Sequence, residues 1–457
     1  MENFNINPER TPNPRRRKRS PKRVFMESYL PVIIFVLIAA LIVVFIVTAS
    51  NNKKQKEEEA IKASLAAKES SIAQMEEFRK EAAELYVQAK YLYDTYRFLD
   101  AINLLDTFSG DIYDFNDLLA LRDSCTDAME NTVDYTPDQV LNLSFQLLIE
   151  DPVRAFKDPN YASGYKKNFI TTAEFRNILE GLHANGYVLV DLDDLFQITN
   201  DGNGNTAFTP KTLSLPQGRK PIMLTETQVN YYTYMIDPDS NGVPDSKGAG
   251  FASKLILDEK GEFTCEMVDA SGETVTGSFD LVPILEEFIQ DHPDFSYNNA
   301  RAILAVTGYD GVFGYRRNKL EEALPVLEAL KERGYEIAFY SYANTDYKAS
   351  TVAQIAKDVE SWKKNIESVI GETPILVFAR NTDIAGNGEY TGEKFAKLQE
   401  MGFRYYLGYL PDGNPWCLTQ PNYIRQGRLV VSALNIQTHP EWYTGLFDPA
   451  TVLEASR

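Results

Sequence analysis

Three histidines and three cysteines are the side chains of this 457-residue sequence best suited to metal or nucleophilic chemistry. His183, His292 and His439 are each more than 100 residues from the next, and Cys125, Cys265 and Cys417 are at least 140 apart. That spacing excludes a Cys-x-x-Cys zinc site and a dense disulfide framework, and only folding could bring the imidazoles together. His183 falls inside a helical segment and His292 follows one in DHPDFSY, so both read as packing or capping residues; His439, in QTHPEW, stays unassigned. Hard oxygen donors have a better pattern. Asp237, Asp239, Asn241 and Asp245 follow the D-x-D-x-N-G-x-x-D spacing of a calcium loop, with Gly242 at the sharp turn. Gly248 stands where the bidentate Glu belongs, and a Pro- and Gly-rich surface turn is the competing reading.

The elements that would position such groups begin with an uneven charge distribution. Residues 1–28 carry a net +5 within a chain of net charge −19, so the remainder is strongly acidic and repels nucleic-acid phosphates. From Tyr29 to Ala49, 21 residues without a charge match the roughly 30 Å hydrocarbon core of a bilayer. This is longer than a signal-peptide core. The basic run before it, against Lys53, Lys54 and Lys56 offset by Glu57, Glu58 and Glu59 after it, places the amino terminus in the cytoplasm and the rest outside the cell. The expected organisation is a basic tail (1–28), one transmembrane helix (29–50), a helical stalk with a tetratricopeptide-like hairpin (51–136) and a domain over 137–457. Packing inside the chain is the expected fate of the hairpin at 86–109, with a docked protein partner as the alternative.

After Pro137 short apolar strands alternate with amphipathic helices. PIMLT, AILAVTG, EIAFYSY, PILVFA and FRYYLGY read as strands, with helices at Lys319–Arg333, Thr351–Ile370 and Gly392–Met401 between the later ones. The T-x-x-E box at Thr171 and Glu174 starts a further helix through Ala184. This is the grammar of an α/β fold with a largely parallel sheet or barrel, carrying a β-hairpin insertion at about 255–280 with turns at Lys260-Gly261 and Ser271-Gly272.

Several segments in order, among them LSFQLLIED, TTAEFRNILEGLHANGYVLVDLDDL, RKPIMLTETQVNYY, VPILEEFIQDHPDFSY and ILAVTGYDGVFGYR, resemble the polysaccharide deacetylase family of the NodB-homology type, in a membrane-anchored clostridial form. The resemblance covers about Pro137 to Arg457. It implies a distorted (β/α) barrel whose groove lies at the carboxyl ends of the strands. It also implies metal-assisted hydrolysis of an N-acetyl amide, with an Asp base, an Asp ligand and two His ligands. In this sequence the base position is Thr227, the Asp ligand position is Gln228, and the histidine positions are Tyr340 and Asn344; Phe378 to Asp383 replaces the family's following loop. An amide, a phenol and a second amide make a poor transition-metal site, and Thr227 accepts no proton near neutral pH. Glu226 is the one nearby carboxylate, and strand alternation turns it away from residue 227.

The catalytic set is therefore expected to be degenerate, with no catalytic cofactor expected and calcium as a candidate ion only. Asn230, Tyr231, Tyr315, Arg316 and Trp416 are candidates to line a sugar-binding cleft, the alternative being that these rings complete the barrel packing. The expected function is an inactive, deacetylase-like protein of the cell membrane that binds envelope glycan. Two alternatives are an active deacetylase with a rearranged transition-metal site and an interaction scaffold acting through its helical hairpin.

Overall fold

The computed structural model describes residues 21–158, 160–200, 206–236, 250–386, 388–455 and 457. The proposed calcium loop, Asp237, Asp239, Asn241 and Asp245, lies outside the described residues. Two compact units, residues 1–81 and 82–457, divide the chain.

In the first unit the apolar segment and the charged stalk run as one helix, α1 (Pro21–Asp94). Alanine, Glu, Lys and Gln sustain its charged part, and its side chains from Tyr29 to Phe78 stay largely exposed. By length and composition its apolar part can cross a membrane.

The second unit begins with the last turns of α1. Tyr96, at φ 64°, turns the corner into α2 (Phe98–Leu105), which packs on α3 (Asn116–Glu130). Ala82, Ala89, Ala101, Leu105, Leu118, Leu121 and Cys125 form this small core. The tyrosines of the corner are tied to the barrel: Tyr91 Oη donates to Asn299 Oδ1 at 2.7 Å and Tyr96 Oη to the Asp294 carbonyl at 2.8 Å.

Seven parallel strands then close on themselves in chain order. They are β1 (Leu141–Gln146), β2 (Lys220–Thr227), β3 (Ile303–Val306), β4 (Glu336–Phe339), β5 (Ile375–Val377), β6 (Tyr405–Tyr409) and β7 (Tyr423–Val430), with β7 pairing back onto β1. The fold is a distorted (β/α) barrel. Its distortion is local: β2 pairs at its start with the short strand Tyr187–Leu189 and only at its end with β3. Helices α4 (Thr172–Ala184), α5 (Leu281–Asp291), α6 (Leu324–Arg333), α7 (Val352–Trp362) and α8 (Glu393–Glu400) are among those covering the outside. The capping boxes at Thr171/Glu174 and Thr351/Gln354 are formed, and Gly334 ends α6 at φ 96°.

Two departures from expectation have simple causes. The insertion is a three-stranded meander, Lys254–Leu257, Phe263–Val268 and Thr274–Gly277, because each of its two glycine turns reverses the chain. The segment YIRQGRLV, which shows no apolar run, is the central part of the sheet as β7.

Strand alternation sends one set of side chains into the lumen and the other towards the helices. The lumen holds Val140, Met223, Ile303, Ile375, Tyr405 and Ile424 near the amino ends of the strands. The larger outer core contains Leu143, Phe145, Leu224, Leu304, Phe339 and Leu376.

Candidate functional site

Above its apolar base the lumen becomes polar. Thr225 Oγ1 donates to Asn142 Oδ1 at 2.8 Å, Asn142 Nδ2 to Gln426 Oε1 at 3.4 Å, and Tyr405 Oη also donates to Gln426. The next layer is cationic. Arg428 is buried and donates to Ser144 Oγ at 2.7 Å and to the Phe378 carbonyl at 3.1 Å, leaving Nε without a partner. Burial lowers its pKa to about 10, so it remains protonated at neutral pH.

Directly above, at the carboxyl ends of the strands, is a cavity of about 100 Å³. Thr227, Gln228, Tyr340 and Asn344 all line it, together with Ser144, Gln146, Arg380 and Asn381. Four residues drawn from two distant segments of the sequence are thus assembled at one place. The loops that carry them are held in costly shapes. Gln228 (φ 64°), Asn344 (φ 53°), Arg380 (φ 56°) and Asn381 (φ 52°) are all left-handed, each at a cost of roughly 1–2 kcal/mol. Such concentrated strain persists only where surrounding contacts impose it. For the loop of Asn344, Asp358 supplies them, accepting hydrogen bonds from the Tyr342 and Ala343 amides, Thr345 Oγ1 and Tyr347 Oη. Arg380 Nε then donates to the Asn344 carbonyl at 2.8 Å, joining the loops after β4 and β5.

The donor set does not fit a divalent metal. Thr227 Oγ1 is spent on the Phe145 carbonyl at 3.0 Å. Burial raises the Tyr340 pKa, so its phenol stays neutral despite the opposing pull of Arg428. Gln228 and Asn344 are neutral, and two guanidinium groups border the space. Among the described residues lining the cavity there is no carboxylate and no imidazole. Glu226 points to the other face of β2, where it is fully buried beside Asp280, Tyr231 and Cys265. Burial first, and then Asp280, push its pKa well above the usual carboxyl range, so Glu226 is held protonated, with no hydrogen-bond partner for either carboxyl oxygen among the described residues.

The sugar-cleft candidates lie elsewhere. Asn230 is buried and staples two loops, its Nδ2 donating to the Thr307 carbonyl at 2.8 Å while its Oδ1 accepts from the Thr307 amide. Tyr231 is buried with Oη 3.9 Å from Cys265 Sγ. Tyr315 is mostly buried under Lys254, and Arg316 pairs with Asp310 at 3.0 Å. Trp416 lies against the Arg425 guanidinium at 4.9 Å, which itself stacks on Tyr390. None of the five lines the 100 Å³ cavity. His439 stacks on Trp442 with ring centroids 4.0 Å apart and also stays outside it.

A larger cavity, about 660 Å³, opens at the opposite end of the barrel. Asp191, Asp193, Lys331, Glu336 and Arg404 are among the residues lining it. Burial, and then the charges of Asp191 and Asp193, raise the Glu336 pKa to about 8. Nothing in the sequence marked this end as polar, because its carboxylates come from a helix start and a strand start far apart in the chain.

No protein-family model and no curated protein matches the chain. Among solved structures, Streptococcus pyogenes deacetylase PplD in complex with acetate is similar at 11% identity, over 69% of this chain and 100% of that one, with a TM-score of 0.35. IcaB from Ammonifex degensii is similar at 11% identity, over 68% and 97%, with a TM-score of 0.32.

Proposed function

We propose that this chain is a membrane-anchored, deacetylase-like protein that faces the outside of the cell and holds an N-acetylated envelope glycan without hydrolysing it. The observation that carries this reading is Asn344 Oδ1, a buried acceptor in the carboxyl-end cavity with no donor among the described residues. A buried acceptor in that state calls for a donor from water or ligand. An acetamido arm supplies an N–H for it and a carbonyl for the cationic side of the cavity formed by Arg380. About 100 Å³ suits such an arm and excludes a whole sugar ring, which would rest on the rim. Tyr309, 63% exposed in the loop after β3, offers a ring for it to stack on. The neutral lining and the buried guanidinium support the loss of hydrolysis, since the site offers neither a base nor a home for a metal. The apolar segment of α1 and the basic residues before it support the anchor and its orientation.

Calorimetric titration of the full chain in detergent with chito-oligosaccharides and muropeptides tests the binding. Saturable heat, lost in Asn344→Ala and absent for the de-N-acetylated oligosaccharides, is the expected result. A flat response across both series removes the reading, and release of acetate replaces it with an active hydrolase.

A further inference from the structure

The two imidazoles that the sequence keeps 109 residues apart meet at the amino-terminal end of the barrel. His183 stands in the last turn of α4, and His292 caps the carboxyl end of α5. Their ring centroids are 4.4 Å apart. Asp294 follows two residues later in the one-turn helix Pro293–Phe295, with Oδ1 3.0 Å from His183 Nε2. The ligand atoms of His183, His292 and Asp294 all lie within 4.8 Å of one another.

We infer that His183, His292 and Asp294 form a binding site for a divalent transition-metal ion, of which zinc is the type, at the barrel end opposite the carboxyl-end cavity. The inference is independent of the glycan reading. Two imidazoles and one carboxylate are the donor set such ions favour over magnesium or calcium. Ligand atoms about 2.0–2.2 Å from a tetrahedral zinc sit roughly 3.4 Å from each other, so side-chain rotations of about an ångström close the triangle. Each ligand is already steered. The Arg219 guanidinium donates to Asp294 Oδ2 at 2.6 Å, which fixes the carboxylate with Oδ1 3.0 Å and Oδ2 3.1 Å from His183 Nε2. Phe288 packs against the His292 ring with centroids 4.7 Å apart. Outer partners of this kind orient a ligand set. All three residues are half-buried, so solvent reaches the site and can complete the coordination sphere.

The site has a structural consequence. The Asp294 carbonyl is the acceptor for Tyr96 Oη, the contact that ties the end of the α1 corner to the barrel. A metal on the side chain of the same residue clamps α4, the α5 terminus and this docking turn together.

Titration of the full-length protein in detergent with zinc alone, and with cobalt alone as a spectroscopic probe, tests the site. The expected result is one ion per chain, visible cobalt absorption of a low-coordinate centre with nitrogen ligands, and a rise in melting temperature. His292→Gln keeps the bulk against Phe288 and leaves the His183–Asp294 bond in place, so it isolates ligation from folding. It should weaken zinc binding by at least about tenfold and abolish the thermal shift. Asn344→Ala in the other cavity should leave zinc binding unchanged. Unaltered binding in His292→Gln, or less than one ion per chain in the unmodified protein, overturns the inference.

Discussion

The two ends of this barrel differ in a way that inverts the usual arrangement of parallel-strand barrels. At the carboxyl ends, where such folds place their chemistry, the space is small, strained and lined by Arg380, with hydroxyls, amides and a phenol as its other polar groups and Arg428 bonded to Ser144 beneath it. At the amino ends, which ordinarily serve stability, lie the larger cavity with Asp191, Asp193 and Glu336 and, beside α1, a cluster of imidazoles and a carboxylate. The contrast teaches that, among the described residues, the groups fit for proton or metal chemistry gather at one end of this barrel while the other is lined by hydroxyls, amides, a phenol and a guanidinium. Asp358 holds the loop that carries Asn344, and the Gln228 amide is bonded to the Ala305 carbonyl at 2.7 Å.

Four substitutions break or sharpen the comparison. The largest effect belongs to the link between the two ends, α4, whose first turn is locked by Arg457. The buried Glu174 accepts from the Arg457 guanidinium and from the Glu454 amide at 2.8 Å. Arg457→Ala strands a buried carboxylate and should lower stability by about 3–5 kcal/mol in urea unfolding. Second, Asp358→Ala leaves four donors at the carboxyl end unmatched. A loss of about 3 kcal/mol and of glycan binding is expected, with zinc stoichiometry at the base unchanged.

Third, the buried acids give stability a pH dependence of unusual sign. Glu226 is pushed well above its ordinary pKa, and Asp194 and Glu336 are raised to about 8, all by burial first. A carboxyl with a raised pKa binds more protons folded than unfolded, so its contribution is complete below the ordinary carboxyl pKa near 4.3 and is lost as pH climbs through the folded value. Melting temperature should therefore fall between about pH 5 and pH 9. Glu226→Gln should flatten that slope and raise the melting temperature at pH 8, because the amide has no charge to develop in the buried site. A steeper slope in the variant would falsify the protonated assignment. The smallest effect is expected at Gln228. Gly tolerates its φ of 64°, so Gln228→Gly should shift stability by less than about 1 kcal/mol while weakening glycan affinity.

How much of this was written in the sequence depended on whether a signal was local. Five strands announced themselves as apolar runs bounded by glycine, proline or helices, and the capping boxes at Thr171 and Thr351 fixed two helix starts. The strand β7 did not, because Gln426 and Arg428 turn into a polar lumen and Arg425 outward onto Tyr390 and Trp416, so no face of it is apolar. The position of Glu226 followed from strand alternation alone. By contrast, Asn230 and Tyr231 look like surface groups in a loop sequence, and only the third dimension reveals Thr307 and Cys265 beside them. His183 and His292 were seen as helix furniture for the same reason: spacing in sequence says nothing about two helix ends that converge. The one hint was DHPD, an imidazole two residues from a carboxylate at a helix terminus.

The corner at Tyr91 and Tyr96 gives the molecule a mechanical property. The helix that carries the apolar segment runs without interruption to Asp94, and the chain then turns into contacts with Asn299 and the Asp294 carbonyl. Tension reaching that corner is borne first by these two side-chain contacts at the floor of the barrel.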